Sequence, residues 1–212
     1  MDNNQLLRKI SNVLLGSPNP QGEPEATAKN LLDFAVMLRS WSKNVNLISE
    51  ATLEEVIAEH ILDAVYAEFH LPEAAEILDV GSGAGLPGIP LAILRPKSRV
   101  ILVEPRAKPV SFLNEVRRRF KLGNIDIRKE RIEAVSSGAL GLDSGQAIAV
   151  ARAFSPAEEL LAHISWIFKA HIPFYYLGSV DSKALRVKDA QLCTPLPYYP
   201  GARSKVLLRL SG

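Results

Sequence analysis

The chain has 212 residues, 47% of them hydrophobic and 23% charged, which suits one well-filled α/β domain with a small appendage. Its formal net charge is +2; a single cysteine, Cys193, excludes an internal disulfide, and the histidines at 60, 70, 163 and 171 lack metal-ligand spacing, so no metal is expected. No apolar run approaches the roughly twenty residues of a membrane span, and Met1-Asp2-Asn3-Asn4-Gln5 reads as neither signal nor transit peptide, so a cytoplasmic protein without membrane contact is expected.

The first seventy residues read as helices. Leu6, Leu7, Ile10, Val13 and Leu14 mark one apolar face, and Leu31, Leu32, Ala35, Met37, Leu38 and Trp41 mark another. Between them Gly16 to Pro24 holds three prolines and two glycines, a loop signal. Thr52-Leu53-Glu54-Glu55 is a capping-box pattern that opens a third helix through His60 and Ala64. The period then changes. Strands are predicted at 76–80, 99–104, 125–129, 146–151 and 172–178, alternating with helices near 88–95, 108–121, 131–137 and 156–168. A strand near 188–194, a loop from Pro195 to Gly201 and a last strand at 205–210 suggest a closing antiparallel hairpin. The expected fold is α/β: a Rossmann-like, mostly parallel, doubly wound seven-stranded sheet ending in that hairpin. Residues 71–212 would form this domain, and residues 1–70 a helical extension packed on it.

The chemistry concentrates at Ile77 to Pro90, I-L-D-V-G-S-G-A-G-L-P-G-I-P. A buried-strand run ends in an acid, and glycines at 81, 83, 85 and 88 lack the Cβ atoms that would hold a ligand off the backbone. A helix near Pro87 would direct free N–H groups to the same place. Gly83, Gly85 and Gly88 formally spell the dinucleotide pattern G-x-G-x-x-G. Glu104, ending the second strand about twenty residues on, suits ribose hydroxyls in either a dinucleotide or S-adenosylmethionine. Asp79 separates the two ligands: a carboxylate there repels a pyrophosphate but can pair with the amino group of a methionine moiety. A dehydrogenase would also need a second half-sheet and a substrate domain, for which 212 residues leave little room. S-adenosylmethionine is therefore the expected cofactor, and the hairpin ending favours a methyltransferase.

Charge is unevenly spread. Glu50 to Val80 carries nine acids and no Lys or Arg, whereas Arg95 to Arg131 carries twelve Lys/Arg against four acids. Arg117-Arg118-Arg119 and Lys121 lie opposite Phe112, Leu113, Val116 and Phe120, so they form at least a solvated helical face. With the flanking Arg95, Lys97, Arg99, Arg106, Lys108, Arg128 and Lys129 they are numerous enough for a polyanion footprint, and RNA is the expected partner.

The glycine segment with its L-P-G-I-P continuation, W-S-K-N-V-N-L (Trp41 to Leu47), E-H-I-L-D (Glu59 to Asp63) and A-R-A-F (Ala151 to Phe154) together resemble the RsmG family, also called glucose-inhibited division protein B. The resemblance implies methyl transfer from S-adenosylmethionine to nitrogen 7 of a guanine in bacterial 16S rRNA, with 16S rRNA or the small ribosomal subunit as partner and a monomeric enzyme. It carries cofactor contacts onto Gly81, Gly83 and Leu86 in the loop, Glu104 at the ribose, Ile132 and Glu133 at the adenine, and Arg152 after the fourth strand; Asp79 and Gly85 join them from the loop's own chemistry. Arg152 would position cofactor or guanine, since a guanidinium fork suits a carboxylate or a guanine oxygen. Arg131 and Arg203 would serve the RNA or the rim of the active site. The chain departs from the family pattern at Ile48, Glu59, Pro109, Leu177 and Ser204, and four of these five changes reduce positive or titratable character on the expected RNA side.

Overall fold

The computed structural model describes residues 1–17, 23–49, 52–152, 163–179, 190–195 and 205–210. Helix α1 (Asn3–Leu15) opens on a capping box: the Asp2 side chain accepts from the Gln5 amide while the Gln5 side chain accepts from the Asp2 amide. Helix α2 (Pro24–Val45) starts on a proline, whose missing N–H would have had no helical partner, and stops where Asn46 turns left-handed at φ 53°. The Thr52–Glu55 capping box then opens α3 (Leu53–Val56).

The expected third helix is interrupted. Ile57–Ile61 forms a π-helical turn before the chain resumes as α4 (Leu62–Glu68). Such turns carry one extra residue and shift the side chains after them around the helix axis. Here all five turn residues, including Glu59 and His60, are buried.

The sheet follows the predicted alternation closely: β1 (Glu76–Val80), α5 (Gly88–Leu94), β2 (Arg99–Val103), α6 (Ala107–Phe120), β3 (Ile125–Arg128), α7 (Ser137–Leu140), β4 (Ala147–Arg152), α8 (Ser165–Lys169), β5 (Phe174–Ser179), β6 (Ala190–Pro195) and β7 (Lys205–Leu210). Its order is β3-β2-β1-β4-β5-β7-β6. Pairings from β3 to β5 are parallel, and β7 lies antiparallel between β5 and β6. The helix expected over 131–137 divides: Ile132–Ala134 makes one 3-10 turn, and α7 begins separately because Ser136 caps it, accepting from the Ala139 amide. Of the helix expected at 156–168, residues 156–162 lie outside the described residues.

Both faces of the sheet are covered. Ile77, Val100, Leu102 and Val150 face α1, α2, α5 and α6, sharing one apolar core with Leu6, Ile10, Leu31, Leu38, Phe112 and Val116. Leu78, Val80, Ile101 and Val103 face Leu140, Ile164 and Ile167 on the other side. The helical N-terminal segment thus supplies half of the core around the central strands. Arg95 fixes its far end: the buried guanidinium meets the Glu68 carboxylate at 3.1 Å and donates to the carbonyls of Glu68, Leu71 and Pro72. A buried pair of this kind is held by the hydrogen bonds around it.

Candidate functional site

In an open parallel sheet, ligands collect at the carboxyl ends of the strands where the order reverses. Here that point lies between β1 and β4, since the chain winds from β1 outward to β3 and then returns to the opposite side. The glycine loop leaves β1 at this end, Glu104 follows β2, Arg131 to Glu133 follow β3, and Arg152 ends β4.

The four loop glycines do two kinds of work. Gly81, Gly83 and Gly85 have φ of 70°, 51° and 77°, in the left-handed region where only glycine is unstrained. A Cβ on Gly83 would make ordinary van der Waals contacts, with the Arg106 guanidinium at 3.5 Å, the Gly81 carbonyl at 3.7 Å and the Glu104 carboxylate at 4.0 Å. A Cβ on Gly85 would instead overlap Ile89 and Leu113, and one on Gly88 would overlap Leu102 and Asp79. The candidate cradle is therefore the left-handed stretch Gly81 to Gly83, where a Cβ would not overlap the protein at Gly83. Gly85 and Gly88 let α5 settle onto the sheet, which corrects the expectation that every loop glycine clears space for a ligand. The helix begins at Gly88, with Pro87 as its cap.

Asp79 is wholly buried, 0% exposed. Its Oδ2 accepts from the Gly88 amide at 3.0 Å, and Oδ1 has no hydrogen-bond partner. Burial, against the lowering effect of the Gly88 and Ser82 hydrogen bonds, pushes this carboxyl up to about 7, and the Glu104 charge adds to the rise. Asp79 thus sits behind the loop, and pairing with a ligand ammonium requires the loop backbone to move.

Glu104 is 2% exposed yet heavily bonded. Its carboxylate accepts from the Gly83 amide at 2.9 Å, from the Arg106 amide at 2.9 Å, and from the Arg106 guanidinium at 2.7 and 3.3 Å. The carboxylate locks the loop to the start of α6. Beside it a cleft of about 230 Å³ runs between Asn46, Leu47, Ala84, Arg106, Lys108 and Pro109.

Ile132 is buried, and Trp166 Nε1 donates to its carbonyl at 3.2 Å, which anchors the 3-10 turn. The first amides of such a turn have no partner within it, so they can meet an adenine edge. Leu86 is buried at the end of the loop; Arg131 is exposed, 3.6 Å from the Glu133 carboxylate. Arg203 and Ser204 lie outside the described residues.

Arg152 is held from the N-terminal segment. Its guanidinium donates to the Glu59 carbonyl and lies 3.5 Å from the Asp63 carboxylate, both side chains of the pair being only 9% exposed. The π-helical turn brings Glu59 and Asp63 to the end of β4. On the neighbouring strand, burial raises the Tyr176 phenol above its usual range against the pull of the Arg152 charge. Glu59, Asp63, Tyr176 and Arg106 are the site neighbours that sequence patterns did not place. Only E-H-I-L-D carried a trace of them.

The basic block divides. Arg95 is buried at Glu68, Arg99 and Arg128 share Asp126, Arg106 meets Glu104, and Arg118 meets Glu115. α6 starts beside the glycine loop, and its fourteen residues carry Arg117 to Arg119 about 20 Å away, at the opposite end of the sheet. The basic residues at the ligand end are Arg106, Lys108, Lys129 and Arg131. Among the positions that differ from the family pattern, Glu59, Pro109 and Leu177 are buried and Ile48 is half-buried against the core.

The family described as GidB, rRNA small subunit methyltransferase G, matches residues 27–194. A protein of Yersinia pseudotuberculosis named ribosomal RNA small subunit methyltransferase G is 32% identical over 199 residues, covering 88% of this chain and 91% of that one. Proteins of the same name are 36% identical over 137 residues in Legionella pneumophila, covering 65% of this chain, and 45% identical over 106 residues in Desulfotalea psychrophila, covering 50%. The matched stretches span 63% and 49% of those two relatives' lengths. Among solved structures, the METTL16 MTase domain superposes with a TM-score of 0.58 at 14% identity, covering all of this chain and 92% of that one. A SAM-dependent methyltransferase from Aquifex aeolicus gives 0.53 at 16%, covering 73% and 92%. These likenesses show a Rossmann-like methyltransferase fold, and the sequence match goes further: the chain belongs to the GidB family, rRNA small subunit methyltransferase G.

Proposed function

We propose that this chain transfers a methyl group from S-adenosylmethionine to nitrogen 7 of a guanine in 16S rRNA, acting as a cytoplasmic monomer on the rRNA or the small ribosomal subunit. The observation that carries the reading is the left-handed turn at Gly81 and Gly83, bonded to the Glu104 carboxylate at the switch point of the sheet. The residues fit the cofactor: Glu104 for the ribose side, Ile132 and Glu133 for the adenine.

When bound, the cofactor supplies an electrophilic methyl on a sulfonium. Guanine N7 already presents a lone pair, so the protein's task is alignment and the exclusion of water rather than proton removal. Arg152, braced by Asp63 and the Glu59 carbonyl, is the cation at the end of β4 and orients the base or the cofactor carboxylate. Arg131, Lys108 and Lys129 line the rim and meet phosphate. Among the described residues no helix is long and apolar enough to cross a membrane, and no His/Cys/Asp/Glu cluster is arranged to hold a metal.

Small subunits from a strain lacking the gene, incubated with the enzyme and methyl-labelled cofactor, should acquire label at a single guanine, mapped by primer extension or mass spectrometry. Label at another base, or on a small metabolite, would replace the acceptor. Arg152→Ala is expected to abolish transfer; retained activity would reduce Arg152 to a brace between β4 and the N-terminal helices.

A further inference from the structure

The carboxylate of Glu104 offers about four lone-pair sites, and all four are filled from within the chain. Two of the donors are backbone amides, those of Gly83 and Arg106, which the loop and the start of α6 hold in place. The other two are guanidinium N–H groups of Arg106, at 2.7 Å on Oε1 and 3.3 Å on Oε2. The same guanidinium lies over Gly83, where its Nη2 is the nearest atom a Cβ would meet. A ribose presents two vicinal hydroxyl donors. They match in number the two positions the guanidinium holds.

We propose that Arg106 is an internal competitor for the ribose site: its side chain occupies the two displaceable acceptor positions of Glu104, and cofactor binding expels it toward the rim. The inference rests on the cofactor reading above and adds a residue that tunes it. Two observations make expulsion feasible. The Arg106 side chain is 69% exposed, so water can take over its guanidinium hydrogen bonds when it leaves the buried Glu104. It also borders the cleft lined by Asn46, Leu47, Ala84, Lys108 and Pro109, which has room for it to swing. Once released, the guanidinium joins Lys108 on the face where an rRNA phosphate would lie. A phosphate that draws Arg106 outward favours the cofactor by the same factor by which the cofactor favours that phosphate, because coupling between two sites is reciprocal.

The test is calorimetric titration of S-adenosylhomocysteine into the full-length protein and its Arg106→Ala and Arg106→Lys variants. S-adenosylhomocysteine lacks the sulfonium charge, so the result reports competition for Glu104 rather than charge repulsion. Arg106→Ala is expected to bind about two- to fivefold tighter than the wild type, with Arg106→Lys in between. Loss of a merely structural contact would weaken binding, so the sign discriminates. Small ribosomal subunits should then raise affinity for the wild type more than for Arg106→Ala. Equal or weaker binding by Arg106→Ala overturns the competitor role while leaving the cofactor reading intact, and an equal gain from subunits in both proteins overturns the phosphate coupling. A wild-type protein that fails to bind S-adenosylhomocysteine at all overturns the cofactor reading itself.

Discussion

β1 and β2 each run into a carboxylate, and each carboxylate accepts a hydrogen bond from a loop glycine, Asp79 from Gly88 and Glu104 from Gly83. The two pairs are built alike and serve opposite ends. The Asp79–Gly88 pair is sealed between α5 and the sheet, with one carboxylate oxygen unpartnered. The Glu104–Gly83 pair lies beside the exposed Arg106 side chain and has every acceptor site filled. Identical local patterns diverge because Gly88 sits inside a helix packed on the strand, whereas Gly83 sits in the turn before it. One acid is sealed against the sheet; the other is the proposed ribose acceptor.

The largest effect that could break this contrast is on pH dependence. The folded Asp79 carboxyl titrates near 7, above its usual value of 3.8, so from about pH 4 the unfolded chain ionises it while the folded chain does not. Stability contributed by the protonated form is therefore lost as pH rises from about 4 through 7, and it levels off above that, by roughly 4 kcal/mol at most. Urea denaturation from pH 4 to 9 should show this decline in the wild type and a flatter profile in Asp79→Asn. A parallel decline in both would mean that Asp79 is ionised throughout.

Next comes the ligand-facing acid. Glu104→Gln removes charge-assisted acceptance, and its affinity for S-adenosylhomocysteine should fall about 10- to 100-fold, as for the loss of a hydrogen bond to a charged group. An unchanged affinity would place the ribose elsewhere. The smallest effects come from the glycines. Gly88→Ala drives a methyl group into Leu102 and Asp79 and should cost about 1–3 kcal/mol of stability. Gly83→Ala makes only ordinary van der Waals contacts, with the Arg106 guanidinium, the Gly81 carbonyl and the Glu104 carboxylate, and should cost only about 1 kcal/mol, from its left-handed backbone, while weakening cofactor binding. Thermal melts and calorimetry of the two variants side by side would reverse the assignment if Gly83→Ala proved the less stable.

Where chemistry is local, the sequence spoke clearly. Alternating apolar runs placed β1, β2 and β7 to within a residue, and the glycine segment with its flanking acids marked the strand ends where the candidate site lies. The π-helical turn was invisible because its apolar residues, Ile57 and Ile61, together with Val56 before it, fit an ordinary helical stripe equally well. The Arg152–Asp63 contact joins residues 89 positions apart and depends on that turn, so no spacing rule could disclose it. The Arg117–Arg119 run looked like part of one footprint with Lys108 because a sequence does not show which end of a helix meets the ligand. Asp79 was visible as an acid in an apolar strand. Its unpartnered oxygen depends on how closely α5 lies on β1.

The position of β7 bears on assembly during synthesis. β6 hydrogen-bonds to β7, which in turn pairs with β5, so β6 is joined to the sheet only through a strand made after it. Until Lys205–Leu210 emerges, the row of amides and carbonyls along β5 remains an open edge that could recruit another chain. A chain stopped before Lys205 therefore forfeits two strands rather than one and exposes the outer edge of β5, the strand that covers β4 and its Arg152.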